Sequence, residues 1–153
     1  DPDFVYGLFV RAHAESCLRQ FDDLRNSVTE LEKAGLVLPG LYFRAALAIA
    51  RNDAAGAQRA FDELRSRTEA GRGSAYMTAS IAAELGRHQE AAAWLERAYR
   101  ERDPAFVHHY QRLLPEDWPD DAAIRAALDK PELRALYDIR RRNLASRRGS
   151  SDG

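Results

Sequence analysis

Ala79-Ser80-Ile81-Ala82-Ala83-Glu84-Leu85-Gly86-Arg87-His88-Gln89-Glu90-Ala91, running on through Trp94-Leu95-Glu96-Arg97-Ala98-Tyr99 to Asp103-Pro104, is the stretch that decides the fold. It reads as a helix over Ala75 to Leu85, a left-handed turn at Gly86, and a second helix over Glu90 to Arg102. Glycine enters the left-handed region without a steric penalty, so it ends helices cheaply. Ala91, Leu95 and Ala98 fall on one face at helical spacing. Asp103-Pro104 stops the second helix, because proline disfavours helix in the residue before it.

The pattern recurs. Ala45, Ala48, Ala57, Phe61 and Leu64 each lie 34 residues before Ala79, Ala82, Ala91, Leu95 and Ala98. An earlier copy, Ala12, Leu24, Val28 and Leu31, lies 33 residues before Ala45, Ala57, Phe61 and Leu64. The spacing predicts helices over Leu41 to Arg51 and Ala54 to Arg67, joined by Asn52-Asp53. It also predicts helices over Phe4 to Cys17 and Phe21 to Lys33, joined near Arg19-Gln20 and stopped at Gly35. A single such unit cannot bury its apolar face, so three stacked units are about the minimum.

This 34-residue period, with small residues at the eighth and twentieth positions, resembles the tetratricopeptide repeat. The resemblance covers about residues 4–105, as units 5–37, 38–71 and 72–105. It departs at the fourth position, where Leu8, Leu41 and Ala75 stand instead of the frequent Trp, and at the seventh, where Arg11, Arg44 and Thr78 replace Leu. The resemblance implies an all-α helix-turn-helix repeat solenoid acting as a non-catalytic protein–protein interaction module. The opening Asp1-Pro2-Asp3-Phe4 echoes Asp103-Pro104-Ala105-Phe106, so a further repeat is expected upstream in a parent chain.

Composition agrees with an all-α fold. Among 153 residues there are 27 Ala but only 12 Val, Ile and Thr together, so strand formers are scarce. A net charge of −1 argues against a dedicated nucleic-acid or membrane-surface binder. The longest uncharged runs, such as Ser74 to Ala83, are far below the roughly 20 residues of a membrane span. One cysteine, Cys17, cannot form an intramolecular disulfide, which with the missing signal sequence leads us to expect a cytoplasmic protein.

Beyond the repeats, residues 106–143 are expected to form capping helices. Phe106, Val107, Tyr110, Leu113 and Leu114 make a helical stripe; Asp120 or Asp121 caps a helix through Leu128; and Pro131 opens another to about Asn143. Asp129-Lys130-Pro131-Glu132-Leu133-Arg134-Ala135-Leu136 resembles the short proline-led helix that closes repeat regions at the C-terminus of bacterial multidomain regulators. That resemblance supports a second reading, a regulatory or oligomerisation segment of a larger signalling or transcription protein. From Asp138 to Gly153 the chain carries a net charge of +3, against −4 for the remainder, and residues 144–153 read as a basic tail.

No catalytic constellation stands out. Cys17 follows His13 by four residues, but the third group and oxyanion site that a Cys–His nucleophile needs are missing. Adjacent His108 and His109 point apart, so no metal site is expected, and no cofactor. Binding is expected on the concave face, built from the first helix of each unit. There Phe9, Tyr42 and Tyr76 take the fifth position, Val10, Phe43 and Met77 the sixth, His13 and Ser80 the ninth, and Ile49 the twelfth. Such a groove suits a peptide or helix from a protein partner, or is filled by another segment of the chain or by a second copy in a homo-oligomer.

Overall fold

The structure is a computed structural model that describes residues 2–105, 117–131, 133–135, 137–139 and 141–142, with side chains from residue 6 onward. The described residues are helical with no strand. In chain order the helices are α1 (Pro2–Cys17), α2 (Phe21–Lys33), α3 (Val37–Ala50), α4 (Ala54–Glu69), α5 (Ala75–Glu84), α6 (His88–Arg100) and α7 (Ala122–Leu128). Described residues from 131 to 142 are helical as well. The stripe over 106–114, with His108 and His109, and the basic tail lie outside the described residues.

Each helix from α1 to α6 packs against the next, α6 packs against α7, and the odd-numbered helices α1, α3 and α5 also touch in sequence. One core joins them, from Leu8 in α1 to Leu133 and Tyr137 near the C-terminus. Several sets of residues one period apart share their burial. Ala12, Ala45 and Ala79 are each 0% exposed, as are Leu31, Leu64 and Ala98. α5 sits deepest: every residue from Ser74 to Ala83 is buried, so the longest uncharged run is the central helix.

Six helices in a row end the same way. The residue after the C-cap takes positive φ: Arg19 58°, Gly35 77°, Asn52 57°, Gly71 71°, Gly86 73° and Arg102 53°. Each is followed by an amide that donates to the carbonyl five residues back, at 2.8–2.9 Å, as in Gln20 to Glu15, Asp53 to Ala48 and Asp103 to Ala98. This closure satisfies carbonyls that a helix end would otherwise leave orphaned.

Where helix bounds differ from those expected of the sequence, capping explains it. α3 starts at Val37, four residues before Leu41, and carries Pro39 and Gly40 inside it. Proline is tolerated there because a first-turn N–H has no intrahelical partner to lose. His88, read as part of the turn, is instead the first residue of α6, since Gly86 completes the reversal alone. α6 ends at Arg100, before Asp103-Pro104; the left-handed Arg102 performs the stop.

Asp103, 7% exposed, does not end the helix but joins two elements. Its carboxylate accepts from Ser74 Oγ at 2.9 Å, Tyr76 N at 3.0 Å and Ala105 N at 2.9 Å, pinning the start of α5 to the chain leaving α6. The polar seventh positions are engaged too. Arg44 of α3 donates to Glu32 of α2 at 3.1 Å, Thr78 of α5 bonds Thr68 of α4 at 2.9 Å, and Arg11 donates to Ser27 of α2 at 3.0 Å. At the far end Asp121 caps α7 and pairs with His88 Nδ1 at 2.9 Å.

The shared helix ending is testable. Gly86→Ala should cost about 1 kcal/mol, because alanine meets the left-handed steric penalty. Arg102→Gly should move stability the other way, by a few tenths up to about 1 kcal/mol, as it relieves the same penalty. Urea midpoints at constant slope report both; shifts of the same sign would contradict the assignment.

Candidate functional site

Because α1, α3 and α5 adjoin, the expected site residues fall on neighbouring helices, but the structure distributes them over three environments. The first is interior. Tyr42 is 3% exposed, Phe43 0%, Tyr76 4%, Met77 6% and Ser80 1%. The Phe43 ring lies 5.6 Å from Phe9 and 5.2 Å from Tyr42. The Tyr42 hydroxyl reaches Ser80 Oγ at 3.4 Å, tying α3 to α5. Tyr76 meets Trp118 edge-on, centroids 5.9 Å apart and planes at 80°, so a segment from the C-terminal side covers this end.

The second environment is partly open. Phe9, His13 and Ile49 are half-buried, as are Ser16, Ala46 and Ala50 on the same face of α1 and α3. Here Ser16, Arg19, Phe21, Ala46, Ile49, Ala50 and Glu84 line a pocket of ≈ 300 Å³. Ala46, Ile49 and Ala50 give it an apolar part beside polar Ser16, the Arg19 guanidinium lies 5.6 Å over the Phe21 ring, and Glu84 stands at the α5 edge. Repeat position finds Ile49 but misses Arg19, in the turn into α2, and Phe21, the first residue of α2.

Val10 occupies the third environment. It is 42% exposed and lies two residues, about 200°, from both buried Leu8 and buried Ala12. It faces away from the pocket, although its equivalents Phe43 and Met77 are core residues.

Cys17 Sγ and His13 Nε2 do approach to 3.8 Å. Desolvation by burial raises the thiol and lowers the imidazole from their ordinary values. Both shifts favour neutral forms, the reverse of what a thiolate–imidazolium nucleophile needs. A second cleft, of ≈ 410 Å³ between α3 and α4, is rimmed by Arg44, Arg51, Arg59, Asp53 and Glu63. Arg44 and Arg51 are already paired with Glu32 and Asp22, and Asp53 caps α4. Among the described residues no cluster of three His, Cys, Asp or Glu side chains forms a metal site, and no helix is long and apolar enough to cross a membrane.

Burial of the Tyr42 ring gives a measurable consequence. Tyr42→Ala should cost roughly 3–5 kcal/mol, the scale of deleting a core aromatic. A loss below about 1 kcal/mol in chemical denaturation would mean the ring stands on an open surface. No protein-family model, curated protein or solved structure matches the chain significantly.

Proposed function

We propose that the chain is a tetratricopeptide-like helix-pair solenoid serving as a non-catalytic interaction module, which takes a peptide of a protein partner on the face shared by α1 and α3. The observation that carries this reading is the half-buried apolar strip of Phe9, Ala46, Ile49 and Ala50 opening into the ≈ 300 Å³ pocket. Its size suits one apolar side chain with adjoining backbone, and Arg19 and Glu84 at its edges suit a peptide bearing both charge signs around that anchor. Like burial of equivalent residues at a period of 33–34 supports the solenoid, as does the touching series α1, α3, α5. Trp118 over Tyr76 confines the proposed groove to the first two units.

The test is selection of peptides from a random library on the intact chain, followed by affinity measurement. Ala46→Arg and Ile49→Glu alter half-buried positions, so both variants should stay folded by circular dichroism. Selected peptides should lose at least roughly tenfold in affinity for either variant. Peptides that bind both variants as well as wild type would contradict the groove.

A further inference from the structure

The ≈ 410 Å³ cleft between α3 and α4 lies on the side of α3 away from the pocket shared with α1. Arg44, Ala48 and Arg51 line the cleft; they stand two residues, about 200°, from Ala46, Ala50 and Ile49, which line the pocket. Leu47, Ala48, Gly56 and Ala60 give the cleft a small apolar lining, and Arg44, Arg51 and Arg59 supply its cations.

The third unit shows what stands at these positions when the chain fills them itself. Leu47, Ala48 and Ala60 correspond, 34 residues on, to Ile81, Ala82 and Trp94, so an indole replaces a methyl. Ile81 and Ala82 are 0% exposed and share one core with Trp94, whereas Ala48 is 9% exposed and stands outside that core. The Arg97 guanidinium lies 5.1 Å over the Trp94 ring. Arg44, Arg51 and Arg59 stand where the third unit has uncharged Thr78, Leu85 and Ala93. Both units have the preceding helix in place, α2 against α3 and α4 against α5, so the difference comes from the lining residues.

The carboxylates at the cleft are already engaged. Asp53 Oδ1 accepts from Gly56 N at 2.8 Å as the cap of α4, and Glu63 pairs with Arg67 at 3.1 Å. Arg44 and Arg51 reach Glu32 and Asp22 of α2 in pairs open to water, which hold weakly. Arg59 is exposed and, among the described residues, makes no ion pair. The rim therefore has positive charge to spare around an apolar space.

We propose that this cleft docks an acidic peptide segment of a protein partner. One aromatic side chain enters over Leu47, Ala48 and Ala60, while carboxylates flanking it pair with Arg59, Arg44 and Arg51. The ring takes the place that Trp94 holds in the next unit, beneath a guanidinium as Trp94 lies beneath Arg97. The chain's own C-terminal stretch is a poor occupant, since Asp138 to Gly153 carries a net charge of +3. This inference does not depend on the pocket between α1 and α3, with which the cleft shares no lining residue.

Fluorescence anisotropy of the full 153-residue chain with a labelled short peptide, tryptophan between two runs of glutamate, tests it. Binding is expected in the micromolar to millimolar range and should weaken as salt is raised. Changing the peptide's tryptophan to alanine, or its glutamates to lysines, should weaken it at least roughly tenfold. Arg59→Glu reverses the charge of an exposed side chain and should do the same with the circular dichroism of wild type. Ala60→Trp, which copies the third unit, should close the cleft; Arg59→Glu carries the test should that variant not fold. Ile49→Glu, in the other pocket, should bind as wild type does. No binding at millimolar peptide, equal binding of the lysine peptide, or binding indifferent to Arg59→Glu would overturn the proposal. So would binding lost in Ile49→Glu but kept in Arg59→Glu, self-association of the chain that Arg59→Glu abolishes, or displacement of the peptide by a lower concentration of single-stranded DNA.

Discussion

The close approach of the odd-numbered helices to their neighbours at Ala12, Ala45 and Ala79 is the constraint on which the remaining structure depends. Each of these alanines is 0% exposed, so none of them borders water. Small residues at a crossing let helix axes come to the near end of the ~8–10 Å range. With that spacing set, the even-numbered helices supply the volume: Val28, Phe61 and Leu95, then Leu31 and Leu64, fill what the alanines leave. The uniform left-handed helix ending follows from the same demand. Each helix must reverse within a short connection, three residues long except for five between α4 and α5, and six consecutive ends do so through one geometry.

Much of this was legible in the sequence, because small and large apolar residues recur at one period. α2 occupies the expected Phe21–Lys33, α4 begins at the expected Ala54, and Asp121 caps α7 as one of the two expected aspartates. Glycine and asparagine announced the turns at Gly35, Asn52 and Gly86. Arg19 and Arg102 did not, since arginine has no preference for left-handed backbone and only the neighbouring helices hold it there. The helix expected from Leu41 starts instead at Val37, because Pro39 in a first turn costs no hydrogen bond.

The candidate site was less legible. Position within a repeat tells which helix face a residue occupies, but not whether another segment comes to cover it. Tyr42 and Tyr76 hold the same position as Phe9, yet both are buried while Phe9 is half-open, because α5 packs beside α3 and Trp118 lies on Tyr76. Trp118 is more than forty residues from Tyr76 in the chain, and nothing in the local pattern couples them. Val10 shows the converse: the same residue class at the same position stays in water because α1 packs against α2 and α3 alone among the described helices, whereas α3 packs against α1, α2, α4 and α5. Apolar surface in this fold is accordingly left at α1, on its outer face and along the strip it shares with α3.

The central claim, that helix spacing is set by the small residues at one period, is tested most directly by enlarging one of them. Ala79→Trp should lower the denaturant midpoint by an amount equivalent to at least ~1–3 kcal/mol, since the site is closed on all sides. Ala93→Trp, on the exposed face of α6, should leave the midpoint within about 0.5 kcal/mol of wild type. Equal midpoints for the two variants would contradict the account, because Ala79 would then have room that its place between helices denies.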